Sequence, residues 1–188
     1  MAQAKTLTQA EFDQVLSFIS TRKYALRNRT LFLISHWSGM RVGEIANLKI
    51  QDVLNADGTV KAEIRLSPEQ TKGRHARTVY WPKKLQDSVA EFIQCRCVNS
   101  PTEPVFYTEK GVGFSPNSLC QLFFWLYRNA GVTGASSHSG RRSFITKLAS
   151  KGISVRVLAS MAGHRSISTT QAYIDVNDDM KRAAVELI

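Results

Sequence analysis

The stretch from His138 to Tyr173 reads HSGRRSFITKLASKGISVRVLASMAGHRSISTTQAY, and its spacing of apolar residues and glycines predicts three short helices in succession. The first is expected over residues 138–150, the second over 155–162 with Gly163 as its stop, and the third over about 168–174. Such a succession is typical of a mainly helical domain. Its chemically versatile residues lie at or near the predicted helix ends, and they are His138, Arg141, His164 and Tyr173.

The residues before this stretch predict further helices and one small sheet. A capping box at residues 8–11 opens an amphipathic helix. A turn at residues 55–58 precedes a strand over 59–66, and a second strand is expected over 78–81. The first strand alternates four inward residues, Val60, Ala62, Ile64 and Leu66, and the other helices are expected over about 25–38, from about 42, over about 85–95, from Pro116 and from about Asp178. The sequence therefore predicts a fold that is mainly α with a small antiparallel β-sheet.

The charge of the chain points to a polyanionic partner. Lys and Arg number 25 against 15 Asp and Glu, which gives a formal net charge of +10. No acidic residue occurs from Lys110 to Ile174 or from Thr71 to Lys84. Two acid-free basic segments that flank a helical body are favourable for contact with a phosphate backbone, so nucleic-acid binding is predicted. The first of them carries Lys110, Arg128, Arg141, Arg142, Lys147, Lys151, Arg156 and Arg165.

Length and composition exclude several other classes of protein. With 188 residues, 43% of them apolar, the chain is expected to form one domain over residues 1–188 with no separate N-terminal domain. No apolar run approaches the ~20 residues of a membrane helix. The three cysteines match neither a disulfide framework nor a zinc site, and Asp, Glu and His form no cluster at metal-ligand spacing. We therefore expect a cytoplasmic protein that needs no cofactor and no metal.

Each candidate functional residue has an ordinary structural explanation when it is taken alone. Arg41 lies in a glycine-flanked turn that enters a helix, and Lys72 lies in a predicted hairpin. His138 and Arg141 are three residues apart, so they share one side of a helix. A helix entry, a solvated hairpin lysine and a helix cap are all common roles for such residues. Single motifs therefore do not decide the function.

In their order and local wording, however, these motifs resemble the tyrosine recombinases, also called the phage integrase family. Arg41 and Glu44 match the G-x-R-x-x-E box, Lys72 a T/G-K-G stretch, and His138 with Arg141 the H-x-x-R box. The resemblance covers nearly the whole chain and includes the G-H…T-T-x-x-Y ending, in which His164 and Tyr173 stand. The sequence departs from the family pattern at two places. Ser139-Gly140 and Ala162 stand where the family usually has leucine before the arginine and before Gly-His, and both changes concern local packing.

The resemblance implies a role for each matched residue in metal-free phosphoryl transfer. Tyr173 would be the nucleophile and would form a 3′-phosphotyrosyl link, while Lys72 would protonate the departing 5′ oxygen. Arg41 and Arg141 would bind the non-bridging oxygens, since guanidinium groups stay charged and pair bidentately with phosphate. His138 would be the general base, His164 would bind or orient the phosphate, and Glu44 would support a basic residue. Four basic residues near these motifs are predicted to contact DNA, and they are Arg74, Arg77, Arg142 and Arg165.

The resemblance also implies partners. Double-stranded DNA would be the substrate, and a tetramer of protomers on paired sites would integrate, excise, invert or resolve DNA. Such a protein would act at the nucleoid, on a mobile element or on a chromosomal locus. An apolar stripe after the nucleophile would pack on a neighbouring protomer or on its own core; it consists of Met180, Ala183, Ala184 and Leu187. The chain resembles a short form of Xer-type recombinases or of fimbrial phase-variation invertases, either isolated or naturally short. A short form would grip DNA incompletely, so accessory DNA-bending proteins are expected.

Three other functions fit parts of the sequence. A non-catalytic DNA-binding regulator would use residues 155–174 as a helix-turn-helix, but this leaves Arg41 and Lys72 unexplained. A type IB topoisomerase uses the same tyrosine chemistry, but its sequence around the nucleophile is different. A degenerate structural partner of a recombinase is disfavoured by the intact set of six residues.

Overall fold

Helices make up most of the structure, a computed structural model that describes residues 4–71, 73–174, 181–182 and 185–186. The predicted fold class, mainly α with a small antiparallel sheet, is confirmed. The predicted C-terminal stripe, Met180, Ala183, Ala184 and Leu187, lies outside the described residues. The elements in chain order are α1 (Gln9–Ser20), α2 (Ala25–Ser38), α3 (Val42–Ala46), α4 (Ile50–Val53), β1 (Glu63–Leu66), β2 (Arg77–Tyr80), α5 (Lys83–Gln94), α6 (Pro116–Asn129), α7 (Ser139–Ala149), α8 (Val155–Ala162) and α9 (Ile167–Gln171).

Helix ends follow the capping signals of the sequence. The Thr8 hydroxyl accepts from the backbone N–H of Glu11 at 3.2 Å, and the Glu11 carboxylate accepts from the N–H of Thr8 at 3.0 Å. Ser115 caps α6 in the same way, and Gly39 ends α2 in the left-handed conformation. The short helix α4 was not predicted, because four residues are too few to show a period.

Helix α2 lies at the centre of the core. Leu31, Phe32, Leu33 and Ile34 are each at most 1% exposed, so consecutive residues rather than one face are buried. Helices α1, α5 and α7 pack around α2, and α3 follows directly from its end. A helix buried on most sides is typical of a core position, and it gives α3 and α7 a rigid support.

The sheet is a two-stranded antiparallel hairpin that begins later than predicted. Ile64 pairs with Val79 and Leu66 pairs with Arg77, and Ile64, Leu66 and Val79 face the core. The prediction that Ala62 points inward was wrong, since Ala62 is exposed. The Lys61 N–H donates to the Val53 carbonyl at 2.9 Å. This bond holds the segment before β1 against α4, so the segment does not follow the inward and outward alternation of a strand.

The contact between α7 and α2 explains the first departure from the family wording. A Cβ atom on Gly140 would lie 2.8 Å from the Cβ and 2.9 Å from the carbonyl carbon of Ser35. Real Cβ atoms do not approach so closely, so no leucine could stand at position 140 in this packing. The close approach brings the first turn of α7 to the end of α2, where Arg141 reaches Gly39.

Two further features concern membrane spans and the cysteines. Among the described residues, no helix combines the length and the apolar character that crossing a bilayer would need. Cys95, Cys97 and Cys120 are free thiols; Cys95 and Cys97 are exposed, and Cys120 is partly buried.

Candidate active site

Arg41 stands at the junction between α2 and α3. Its backbone N–H donates to Glu44 Oε2 at 2.8 Å, and its Nη1 donates to Glu44 Oε1 at 3.0 Å. Its Nη2 donates to the carbonyl oxygen of Gly163 at 3.2 Å. The side chain remains 27% exposed. Arg41 is thus held on two sides while part of its guanidinium faces a cleft.

Arg141 projects from the first turn of α7 into the interior and is 4% exposed. Its Nη1 donates to Gly39 O at 2.6 Å, and its Nη2 donates to Ala162 O at 2.5 Å and contacts His164 Nε2 at 2.8 Å. Burial, together with the charges of Arg41 and Arg77, lowers the pKa of Arg141 to about 9. The guanidinium therefore remains a cation at neutral pH.

The end of α8 stabilises the positive charges of the arginines. The carbonyl oxygens of three consecutive residues, Met161, Ala162 and Gly163, each accept from one arginine. Carbonyls at a helix C-terminus lack intrahelical partners and carry partial negative charge, so they stabilise cations. Because only the carbonyl of Ala162 is used, the alanine at this position leaves the arginine contact intact.

His164 lies next to these carbonyls, and its hydrogen bonds define its protonation. Because the Arg141 guanidinium can only donate, Nε2 of His164 must accept, and Nδ1 then carries the proton and donates to Thr170 Oγ1 at 2.8 Å. Burial and the charges of Arg141, Arg41 and Arg77 lower the pKa of His164 to about 4. The imidazole is therefore neutral at pH 7, with its lone pair directed at Arg141.

Tyr173 follows α9 and packs beside the histidine. The two rings are stacked with centroids 5.7 Å apart and an angle of 22° between their planes. The backbone carbonyl of Tyr173 accepts from Thr146 Oγ1 at 3.1 Å. The guanidinium carbon of Arg142 lies 5.4 Å from the centre of the Tyr173 ring. Tyr173 is therefore fixed at its backbone and at its ring.

Glu44 links Arg41, which precedes α3, to Arg77 of β2, and it is 1% exposed. Besides Arg41, it binds Arg77, whose Nη2 donates to Oε2 at 2.6 Å and whose Nε donates to Oε1 at 3.2 Å. Burial alone would raise the pKa of Glu44, but the hydrogen bonds and charges of Arg77 and Arg41 hold it below its usual value. The predicted supporting role of Glu44 thus has a definite geometry.

Arg77, which the sequence predicted as a DNA contact, lies largely buried beside the end of α8. Its side chain is 9% exposed, and its Nη1 donates to Met161 O at 2.8 Å. A Cβ atom on Gly163 would lie 2.7 Å from Arg77 Cδ, so the left-handed glycine is what lets this side chain pass under α8. Arg77 thus positions Glu44 and the end of α8, and it also lines the cleft beside Arg41 and His164.

Glu44→Gln is expected to lower the free energy of unfolding by about 3 kcal/mol, because it leaves the buried Arg77 charge without its partner. In the unsubstituted protein, the ionised Glu44 carboxylate stabilises the folded state. This stabilisation is complete above the ordinary carboxyl pKa of 4.5 and is lost as the pH falls through the lower pKa of the folded state. Urea unfolding at several pH values measures both effects. Glu91→Gln, which breaks the exposed pair with Arg29, is the control and should cost under about 1 kcal/mol. Equal losses would contradict the role of Glu44.

The remaining predicted site residues lie away from this cluster or outside the described residues. Lys72 lies outside the described residues, but its neighbours Thr71 and Gly73 line a cleft of about 890 Å³ together with Arg41 and His164. His138 is exposed at the start of α7. Two of the predicted DNA contacts, Arg74 and Arg165, are exposed, and Arg165 lines this cleft, donates to Gly73 O and contacts His75.

Several contributors to the site were not predicted from sequence. The backbone acceptors at Gly39 and at the end of α8, and the hydroxyls of Thr146 and Thr170, had no assigned role. Thr170 belongs to the T-T pair of the recognised motif, which is the one signal that pointed to it. Among the described residues, no group of three His, Cys, Asp or Glu side chains could hold a metal ion.

The geometry also bears on the helix-turn-helix alternative. Helix α9 has only five residues, and His164 in the turn before it is bonded inward to Arg141 and Thr170. A recognition helix needs several exposed residues over more than one turn to read a groove. The segment is therefore better described as part of the site.

Comparison with known proteins agrees with this geometry. The sequence model of the phage integrase family matches residues 5–180. The chain belongs to this family. The archaeal tyrosine recombinase XerA of Pyrococcus furiosus is 31% identical over 183 residues, which cover 97% of this chain and 61% of the relative. Tyrosine recombinase XerC of Lactobacillus leichmannii is 28% identical, with 90% of this chain and 57% of the relative covered.

Solved structures show the same fold at lower identity. The crystal structure of XerA recombinase has a TM-score of 0.78 and 21% identity, and the match covers 100% of this chain and 66% of that chain. The Tn1549 transposon integrase in complex with a circular intermediate DNA has a TM-score of 0.77 and 19% identity, covering 100% of this chain and 67% of that chain. This phage integrase family chain spans about 61% of the length of its relative XerA.

Proposed function

We propose that this chain is the catalytic domain of a site-specific DNA recombinase, a single unit over residues 1–188 that cleaves and rejoins strands through a 3′-phosphotyrosyl link. The observation that carries the proposal is the cluster in which the Arg141 cation binds neutral His164, His164 stacks on Tyr173, and Arg41 joins them through Gly163. Family membership and the named activities of the relatives support it.

The residue chemistry gives each step of the reaction a group. The Tyr173 oxygen attacks the scissile phosphorus, the bond to the 5′ oxygen breaks, and Lys72 gives that oxygen its proton. His138 accepts the phenol proton. Because a phenol is a weak nucleophile at neutral pH, the surrounding cations stabilise the negative charge that the oxygen develops during attack. Arg41 and Arg141 neutralise the charge that develops on the non-bridging oxygens.

The reaction needs no external energy source. The phosphotyrosyl bond retains the free energy of the broken phosphodiester, so a 5′ hydroxyl from another duplex can displace Tyr173 and rejoin the strands. Exchange of strands between two duplexes requires several protomers, and a tetramer on paired sites provides four nucleophiles. XerH and Tn1549 integrase, two structural neighbours, are described in complex with DNA, which supports duplex DNA as the substrate. Accessory bending proteins and a place at the nucleoid belong to the same proposal.

Covalent trapping tests this proposal. The full chain is incubated with a pool of nicked duplexes in EDTA and denatured in SDS, and any protein–DNA adduct is digested and sequenced by mass spectrometry. We expect an adduct on the peptide that contains Tyr173, formed without divalent metal. Salt-sensitive DNA binding without any adduct would favour a regulator, and an adduct that forms only with added metal would contradict the proposed chemistry. A topoisomerase would relax supercoiled DNA without joining the adduct to a second duplex.

A further inference from the structure

The contacts of Arg142 link the nucleophile to the N-terminal segment of the chain. Arg142 follows the site residue Arg141 on α7, so its side chain points to a different side of the helix. Its guanidinium carbon lies 5.4 Å from the centre of the Tyr173 ring. Its Nε donates to the hydroxyl of Thr6 at 3.2 Å. The guanidinium is therefore placed between a residue near the start of the chain and the aromatic ring near its end.

The N-terminal segment is itself fixed to the body of the domain. The Leu7 N–H donates to Ser143 Oγ at 3.0 Å, and the Lys5 N–H donates to Gly134 O at 3.4 Å. The Lys5 ammonium pairs with Glu11 of α1 at 2.5 Å. Thr6 lies between these two anchored residues, so its hydroxyl is an acceptor with a defined position. It therefore holds the long Arg142 side chain in one orientation.

We propose that Arg142 is a positioning residue for Tyr173 and that Thr6 holds it there. This inference rests on the proposed nucleophilic role of Tyr173. A cation over the face of a phenol ring is attracted to the ring and favours the negative charge that the oxygen develops during attack. Thr146 fixes the backbone of Tyr173 and His164 stacks on its ring, so the Arg142 contact restrains the same side chain from a third direction. Arg142 and the N-terminal segment thereby act on the rate of strand cleavage.

The competing role of Arg142 is the DNA contact predicted from sequence, and two substitutions separate the roles. Arg142→Gln removes the cation in both cases. Thr6→Val removes only the acceptor and leaves the arginine charge in place. If Arg142 positions Tyr173, both substitutions lower the rate of covalent cleavage at saturating DNA. We expect a loss of about tenfold for Arg142→Gln and a smaller loss for Thr6→Val, while the DNA dissociation constant of each variant stays within about twofold of the unsubstituted protein. If Arg142 binds a phosphate, only Arg142→Gln matters, and it weakens binding and reduces the salt dependence by about one counterion.

The experiment measures single-turnover adduct formation and the DNA dissociation constant for the full chain on a trapped duplex. Arg65→Gln removes one exposed arginine that lies outside both acid-free segments, and Thr133→Val removes one exposed threonine hydroxyl; both controls should leave both quantities unchanged. Thermal melting shows that each variant is folded. A lower rate for both test variants with unchanged affinity supports the inference, and an unchanged rate for both overturns it.

A second measurement does not depend on activity. The DNA-free protein is labelled with 3-fluorotyrosine, and the Tyr173 resonance is assigned by its loss in Tyr173→Phe. Thr6→Val and Arg142→Gln should both shift this resonance, whereas the two control variants should not. An unshifted resonance overturns the inference even if the protein cleaves DNA. A shifted resonance without any adduct from the unsubstituted chain keeps the contact and contradicts the proposed function instead.

Discussion

Tyr173→Phe is expected to bind DNA with the affinity of the unsubstituted protein and to form no covalent adduct at all. The substitution removes one oxygen atom and keeps the ring, so the stacking on His164 and the contact with Arg142 persist. Because the adduct is a bond to that oxygen, its loss is complete rather than partial. SDS-resistant protein–DNA species and the equilibrium dissociation constant are measured on the same duplex. This result identifies Tyr173 as the nucleophile.

A second tyrosine provides a matched control. Tyr80 lines the cleft beside Arg41 and His164 and is 53% exposed, so it is a second phenol that DNA could reach. Tyr80→Phe should form the adduct at the normal rate. An adduct that persists in Tyr173→Phe and disappears in Tyr80→Phe would assign the chemistry to Tyr80 and contradict the proposed mechanism.

The motifs predicted which residue types the site contains, but not which contacts hold these residues together. Arg41, Arg141, His164 and Tyr173 were predicted from their local wording, and the structure brings them together at the ends of α2 and α8. The end of α2 at Gly39 was readable as well, since a glycine after an apolar helix is a local signal. Local rules succeed where the cause lies within a few residues.

Non-local causes account for the expectations that differ. Arg77 was grouped with the DNA contacts because it lies in a basic segment, and its pairing with Glu44, which is 33 residues away in sequence, was not predicted. No periodicity links two such positions. Ala62 was predicted to face inward by alternation, but the bond from Lys61 to Val53 ends the alternation before β1 begins. Charge and period indicate the character of a segment, and tertiary partners decide where each side chain points.

The arrangement also explains how so many cations can be buried together. Glu44 is the one carboxylate that the described residues place between Arg41 and Arg77, and the rest of the compensation comes from backbone carbonyls at Gly39 and at the end of α8. Carbonyls offset part of the arginine charge without cancelling it. The site therefore keeps a net positive field while each guanidinium has a fixed direction.

Arg141→Lys is expected to lower the rate of strand cleavage by about a thousandfold, although it conserves the charge. A lysine ammonium is a single point and cannot reach Gly39 O, Ala162 O and His164 Nε2 together, as the planar fork of Arg141 does. His164 then loses the donor that directs its lone pair, and the phosphate loses a bidentate partner. Single-turnover cleavage of the trapped duplex measures the loss.

Two further measurements distinguish this loss from misfolding. Arg156→Lys, at an exposed position on α8, should cleave normally and melt at the normal temperature. The Arg141→Lys variant is also tested on a duplex with a methylphosphonate at the cleaved position, where one non-bridging oxygen is replaced by a methyl group and the phosphate charge is absent. Since Arg141 is needed to neutralise that charge, the variant and the unsubstituted protein should differ much less on this substrate. An equal deficit on both substrates would mean that Arg141 supports the fold of the site without acting on the phosphate.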